Sequence, residues 1–176
     1  MAAADSTGSV ALQRAGSIER VRAALRAAGH PDTITAFPAG TRTAAEAAAA
    51  VGCTVAQIAK SIVFRAGDRA AVIITSGANR VDARLAAAAL GVKLARADAD
   101  WVRAATGFAI GGVAPLGHLT PPLLLLDEDL LALDPIWAAA GSPSHVFRTS
   151  AAELRRVTGA AVATVRQEAP PHPSSP

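Results

Sequence analysis

Hydrophobic positions along this chain follow two periods in short segments, one near 3.6 residues and one near 2. The predicted helices run over Ile18 to Ala28 (capped by Ser17, stopped by Gly29), from Thr43 to near Gly52, over Ala83 to Leu90 (capped by Asp82), through Thr106 after a cap at Asp98, and through Val157 after a cap at Ser150, with Glu153 at capping-box spacing. A further helical turn is predicted over Thr54 to Ala59. The predicted strands are Asp32 to Phe37, Ser61 to Arg65, Ala70 to Thr75, Leu123 to Leu126, Pro135 to Ala140, His145 to Thr149 and Ala160 to Val165.

Two turn signals join neighbouring strands in this pattern. Gly67-Asp68 separates one pair of β-branched runs, and Gly141-Ser142-Pro143-Ser144 separates another. Hairpins mixed with helices favour an α+β fold over a doubly wound parallel sheet.

The length of 176 residues corresponds to one domain. We expect a flexible N-terminus over residues 1–16, a folded core over 17–166 and a disordered tail over 167–176, where proline and serine accumulate. A single cysteine, Cys53, excludes an internal disulfide and fits a reducing cytoplasm. The N-terminus has no signal-peptide core, and no apolar run is long enough to span a membrane.

The charge is modestly positive, with a net charge of +3 and basic residues scattered along the chain. This excess is compatible with a polyanion such as tRNA, but there is no basic run, and aromatic residues are only 3%. We therefore do not expect DNA binding or sequence reading by stacked aromatics. Of 17 basic residues only Lys60 and Lys93 are lysine, which draws attention to sites where a compact, titratable cation is needed.

The segment Gly111-Gly112-Val113-Ala114-Pro115-Leu116-Gly117-His118 has a composition that neither a helix nor a central strand would have. Such a loop can point several backbone amides at a carbonyl oxygen or an anion, or it can be a purely structural turn.

Lys60 lies at the mouth of the Ser61 to Arg65 strand. If the strand includes it, Lys60 faces the same way as Ile62 and Phe64, which we take to be the core side, and must line a cleft or meet a partner. If the strand begins one residue later, its ammonium group reaches solvent instead.

Other polar residues follow strands or begin them. Ser76, Gly77, Asn79 and Arg80 follow the Ala70 to Thr75 strand, where they either form a turn or contact a ligand. His118 is either a surface residue or a hydrogen-bond donor or acid–base group, and His145 is predicted to be structural. No metal-ligand spacing, phosphate-binding loop or serine-hydrolase elbow is present.

Three stretches in this order resemble the YbaK/EbsC family of aminoacyl-tRNA editing domains, which is related to the insertion domain of bacterial prolyl-tRNA synthetases. They are Gln57 to Phe64, Ser76 to Asp82 and Thr106 to His118. The match continues through Asp127 and the Gly141 turn to Ser150–Leu154, and it covers residues 20–165.

The resemblance implies a single α+β domain with a mixed, barrel-like sheet that hydrolyses the ester of a mischarged tRNA, most often tRNA for proline, without a cofactor or metal. It implies catalytic roles for Lys60, Gly111, Gly112 and His118, with Ser76, Gly77, Asn79, Arg80, Pro115, Gly117 and Gly141 at the substrate. The expected partner is the acceptor end of tRNA, with a synthetase as a further candidate.

The Ser76-Gly77-Ala78-Asn79-Arg80 segment departs from the Ser-Gly-Thr type of the cysteine-editing members, which counts against cysteine. Alanine, serine, threonine and cysteine nevertheless all stay open as the edited residue. A non-catalytic module that binds aminoacyl-tRNA or a synthetase, and a regulator that binds a small molecule, are the alternatives to a deacylase.

Overall fold

The computed structural model describes residues 16–38 and 40–169. The predicted flexible N-terminus, apart from Gly16, and residues 170–176 of the predicted tail lie outside this part of the chain. In chain order the strands are β1 (Ile34–Ala36), β2 (Ile58–Ala66), β3 (Arg69–Ser76), β4 (Ala95–Arg96), β5 (Leu123–Asp127), β6 (Ile136–Ser142), β7 (His145–Thr149) and β8 (Ala161–Ala163). The helices are α1 (Ser17–Ala27), α2 (Ala44–Val51), α3 (Ala83–Leu90), α4 (Ala99–Thr106) and α5 (Ala151–Thr158), with 3₁₀ turns at Val55–Gln57 and Glu128–Ala132.

All eight strands belong to one mixed sheet in the order β1-β7-β6-β2-β3-β5-β8, with β4 paired to β2. The β2–β6, β3–β5 and β5–β8 pairs are parallel, and the other pairs are antiparallel. Within the described chain no pairing joins β1 to β8, so the hydrogen-bonded path stays open.

The sheet curves around one main core. Phe147 of β7 and Ile136 of β6 lie in the same buried cluster as Val72 of β3 and Leu126 of β5, although these strands are far apart in the sheet. Strand β3 is buried along nearly its whole length, as the central strand of a sheet covered on both faces must be. The predicted α+β class with a mixed, barrel-like sheet in a single domain is thereby confirmed.

Most predicted caps form as expected. Asp82, Asp98, Thr43 and Ser150 each accept a hydrogen bond from a backbone amide in the first turn of the helix that follows. Ser17 is an exception, because Gly16 is the cap of α1 and Ser17 is already helical. The predicted capping box at Ser150 is only half formed, since the Glu153 carboxylate pairs with Arg156 instead of reaching back.

Pairing with other strands extends two strands beyond their predicted bounds. The predicted helical turn over Thr54 to Ala59 shortens to a 3₁₀ turn, because Ile58 and Ala59 pair with β6 and start β2 early. Strand β6 runs on through Ser142, beyond the predicted end at Ala140, because Ser142 pairs with His145 after a register shift. The two-residue strand β4 was not predicted, since it has no pattern of its own.

The side of β2 that carries Lys60, Ile62 and Phe64 is not the main core, contrary to the prediction. Ala59 and Val63, on the opposite side, pack in the main core, whereas Phe64 packs in a smaller cluster beneath α3. Large apolar residues did not mark the main core here, because both faces of the sheet are covered and apolar side chains of β2 pack on each of them.

Candidate functional site

Strand β2 is paired with β3 over eight residues, but its other edge is paired only at its two ends. Ile58 and Ala59 pair with β6, and Phe64 and Arg65 pair with β4. In between, β6 departs at a register shift between Ala139 and Ser142, and irregularities of this kind bend a strand away from its neighbour. A gap therefore opens in the sheet beside residues 60–63.

A cavity of about 250 Å³ lies at this gap. Its walls are largely apolar, with Ile62, Trp137 and Val146 among them, and its polar residues include Lys60, Ser61, Arg42, Ser142 and His145. Small volume, apolar walls and a few polar groups are the usual features of a site for a small ligand.

Lys60 lines this cavity and is half-buried. Burial lowers the pKa of its ammonium group from the ordinary value of 10.5, and the positive charge of Arg80 lowers it further. The Lys60 ammonium group forms no hydrogen bond or ion pair with any residue between 16 and 38 or 40 and 169. The strand therefore begins early enough to hold Lys60, and the cleft alternative of the sequence analysis is the one that forms.

The glycine loop meets the cavity through its first residues. Gly111 and Val113 line the cavity, and neither backbone amide has an acceptor within the described chain. The amide of Gly112 is occupied, since it donates to the Ala109 carbonyl at 3.0 Å. Gly112 instead permits close approach, because a Cβ there would lie 2.7 Å from Cα of Ser142. The loop is thus pressed against the end of β6, and two of its cavity-lining residues have backbone amides without an acceptor in the described chain.

The rest of the loop packs away from the cavity, against α1. Pro115 is buried, and Gly117 lies so close to α1 that a Cβ would be 3.1 Å from the Arg20 carbonyl oxygen. The Arg20 guanidinium donates to the Gly107 and Gly117 carbonyls at 2.6 and 3.3 Å and lies over the Phe108 ring. Arg20 therefore fixes both ends of the segment that carries the cavity amides.

His118 also lies in this packed region. Its ring stands edge-on to Phe108, with 5.3 Å between the centroids. Burial lowers its pKa from 6.5 to about 4, opposed by a hydrogen bond with the Ala114 backbone. His118 does not line the cavity, so the structure gives this predicted catalytic residue the environment of a neutral packing residue.

The segment after β3 is held by internal bonds. The Asn79 amide donates to the carboxylates of Asp127 and Asp129, both at 2.8 Å, and the Ser76 hydroxyl donates to the Ala56 carbonyl. A Cβ on Gly77 would collide with the Val55 carbonyl oxygen. These three residues therefore form the turn alternative, and they do not line the cavity.

Two further predicted residues lie near the cavity without lining it. Arg80 is exposed, close enough to Lys60 to affect its pKa, and its side chain has no partner in the described chain. Gly141, with φ of +98°, lets β6 pass beside the start of α1, where a Cβ would lie 2.7 Å from the Ser17 carbonyl oxygen.

The sequence analysis missed several cavity residues. The Ser142 hydroxyl lies 2.7 Å from Nδ1 of His145 and accepts from the Ser144 amide, and the Thr41 hydroxyl donates to the Pro143 carbonyl at 2.8 Å. The one available signal was the hairpin turn itself, which brings Ser142 and His145 together across three residues. Ser61 gave no signal, since a serine within a strand is ordinary.

Among the described residues, no group of three or more His, Cys, Asp or Glu side chains is placed to hold a metal ion. No helix in the same part of the chain is long and apolar enough to cross a membrane.

The sequence matches the model of a known protein family. The model of the aminoacyl-tRNA editing domain matches residues 38–157, which include β2, its cavity and the glycine loop. This chain belongs to the aminoacyl-tRNA editing domain family. The predicted function class, aminoacyl-tRNA editing, is thereby confirmed, and the substrate is a tRNA that carries an amino acid.

Individual relatives agree with this assignment. The chain is 45% identical to a protein described as a proposed trans-editing enzyme for prolyl-tRNA synthetase, with a TM-score of 0.82 over 88% of this chain and 99% of that one. Hypothetical protein APE2540 is 27% identical, with a TM-score of 0.78 over 84% of this chain and 99% of the other. The uncharacterized protein YwhH of Bacillus subtilis (strain 168) is 31% identical over 139 residues, which are 78% of this chain and 88% of YwhH.

Proposed function

We propose that this editing domain is a trans-acting deacylase, which hydrolyses the ester between a small, wrongly attached amino acid and the terminal adenosine of tRNA. The observation that carries the proposal is the cavity of about 250 Å³ at the β2 gap, which is lined by a lysine whose ammonium group has no partner in the described chain and by two residues, Gly111 and Val113, whose amides have no acceptor there. Similarity to a proposed trans-editing enzyme for prolyl-tRNA synthetase supports tRNA for proline as the substrate.

The chemistry needs little more than positioning and charge stabilisation. A water oxygen attacks the ester carbonyl carbon, the carbonyl oxygen becomes an oxyanion, and the bond to the ribose oxygen breaks as that oxygen takes up a proton. The Gly111 and Val113 amides are suited to the oxyanion, because donors fixed before the reaction need no rearrangement. A neighbouring ribose hydroxyl of the tRNA activates the water, so no side-chain nucleophile is required.

Lys60 supplies the positive charge of the site. With no partner in the described chain, its ammonium group is left for the terminal phosphate, the ribose or the developing negative charge. Burial strengthens such an interaction, since water competes less for both charges.

In this proposal His118 and Asn79 stabilise the structure around the site and do not take part in the reaction. His118 packs edge-on against Phe108 and does not line the cavity, and the Asn79 amide donates to two carboxylates of the protein itself.

The test is deacylation of alanyl-, cysteinyl-, seryl- and threonyl-tRNA for proline by the wild type, Lys60→Ala and Lys93→Ala. Lys93, the other lysine of the chain, is exposed and does not line the cavity, so it is a matched control. We expect rapid loss of at least one ester, a drop of about 100-fold or more in Lys60→Ala, and no change in Lys93→Ala.

Full activity of folded Lys60→Ala contradicts the role of Lys60. Tight binding of charged tRNA by the wild type, with no turnover of any ester, favours the non-catalytic binding module instead.

A further inference from the structure

Ser61 stands at the middle of the β2 gap, where neither β4 nor β6 pairs with it in the described chain. Its side-chain oxygen is buried and has no hydrogen-bond partner in the described chain. Neither Lys60 on one side nor Ile62 on the other pairs with a strand across the gap, and all three residues line the cavity.

The backbone of Ser61 faces the gap by the geometry of the sheet. The Ile58 carbonyl accepts from the Gly77 amide, so even-numbered residues of β2 bond towards β3, and odd-numbered residues bond the other way. The register between β2 and β3 runs without a shift, so this alternation holds at Ser61. Its amide and carbonyl therefore point to the edge that β6 leaves.

In a continuous ladder, the Ser61 amide would have a partner on β6. After the Ala59–Ala138 pair, the next rung of the parallel ladder would join the Ser61 amide to the Ala139 carbonyl, but pairing stops at Ala138. A buried, unpaired backbone group costs free energy of about 1–3 kcal/mol, so such groups are normally satisfied. An edge with one open rung can accept a short extended ligand as though it were another strand.

We propose that the aminoacyl group occupies this open rung. The Ser61 amide donates to the ester carbonyl oxygen, and the Ser61 carbonyl accepts from the α-amino group. The aminoacyl group has one acceptor, the carbonyl oxygen, and one donor, the α-amino group, on either side of a single Cα, as does a residue of a paired strand. This inference rests on the proposed function, and it makes the Ser61 amide a second source of oxyanion stabilisation in the cavity that the glycine loop also lines.

A backbone donor is tested by removing it alone. The reference protein is Ser61→Ala. In the test protein, lactic acid is introduced at residue 61 by nonsense suppression. Both proteins then carry a methyl side chain, and they differ only in that an ester oxygen replaces the backbone N–H. The matched control places the α-hydroxy analogue of valine at Val63, which lies on the same edge and does not line the cavity. Thermal unfolding shows whether each variant is folded.

We expect the ester at residue 61 to lower kcat by about 100-fold relative to the Ser61→Ala protein that keeps the amide, with a smaller change in KM. The Val63 ester should have kcat close to that of the wild type. Equal kcat for Ser61→Ala and its residue-61 ester, or an equal loss for the Val63 ester, overturns the inference.

A binding measurement separates this inference from the proposed function. The probe is 3′-deoxy-3′-(alanylamino)adenosine, in which an amide replaces the ester. If the wild type hydrolyses no ester, the deacylase proposal fails. Weaker binding of the probe by the residue-61 ester variant then supports the open rung, and unchanged binding overturns it.

Discussion

Lys60 and His118 are both basic side chains whose pKa is lowered by burial, yet they have different surroundings. Lys60 opens onto the cavity, where a ligand anion can offset the cost of its charge. His118 is packed against Phe108, and Arg20 lies nearby as a further positive charge that disfavours protonation. A perturbed pKa therefore indicates function only where the group can also be reached.

The low pKa of His118 predicts acid-sensitive stability. The pKa falls from 6.5 to about 4 on folding, so between these values the unfolded chain binds more protons and stability decreases as pH decreases. We expect this group to remove about 2–3 kcal/mol from the free energy of unfolding between pH 6.5 and 4.5. His118→Gln should lack this component, which urea unfolding over that range would measure.

The difference in unfolding free energy between the wild type and His118→Gln reports the titration of His118, since all carboxylates titrate in both proteins. Parallel curves of unfolding free energy against pH for the wild type and His118→Gln would show that His118 is not held neutral by the fold.

At the scale of elements, the cavity depends on how closely the glycine loop approaches β6. Gly112→Ala places a methyl group 2.7 Å from Cα of Ser142, a backbone atom that cannot rotate away, so the loop must move. Displacement of catalytic groups by about 1 Å can cost up to about 100-fold in rate, and we expect kcat/KM to fall about 10- to 100-fold.

Gly40→Ala is the control for this substitution. It adds the same methyl group near the cavity rim, but the nearest atom, the Ser144 hydroxyl oxygen, is 4.0 Å away. Steady-state deacylation should therefore be unchanged in Gly40→Ala. Equal activity of Gly112→Ala and Gly40→Ala would mean that the loop position does not limit the reaction.

Elements with local signals were predictable, and those made by distant pairing were not. Asp82 and Asp98 cap helices as their spacing predicts, because a cap is a contact over two or three residues. The early start of β2 depends on Trp137 and Ala138, about 80 residues away, so no local pattern at Ile58 could predict it.

The residues of the site differ in the same way, since some have a local sequence signal and others depend on distant parts of the chain. Lys60 and Gly111 stood out by composition, and both line the cavity. Asn79 was equally prominent, but its amide is used by Asp127 and Asp129, which only the folded chain brings within reach. Ser61 was not prominent, because its open edge exists only where β6 bends away.

At the scale of the whole molecule, charge limits how the protein can hold tRNA. The net charge is only +3, so the overall charge of the protein attracts the body of the tRNA only weakly. Three unpaired cations do cluster at the site: Lys60 and Arg42 line the cavity, and Arg80 lies close to Lys60. Binding should therefore depend on a few phosphates near the single-stranded acceptor end.

This arrangement predicts a shallow salt dependence. Each phosphate contact on a single strand contributes about −0.7 to the slope of log affinity against log salt, so three contacts give a slope of about −2. Arg42→Gln should reduce that slope by about 0.7, whereas Arg155→Gln, at an exposed position of α5 that does not line the cavity, should leave it unchanged. Fluorescence anisotropy of labelled tRNA across a salt series measures all three slopes. A wild-type slope several times steeper, or an equal effect of the two substitutions, would mean that the protein binds the tRNA over a wide surface and that the cavity cations do not determine affinity.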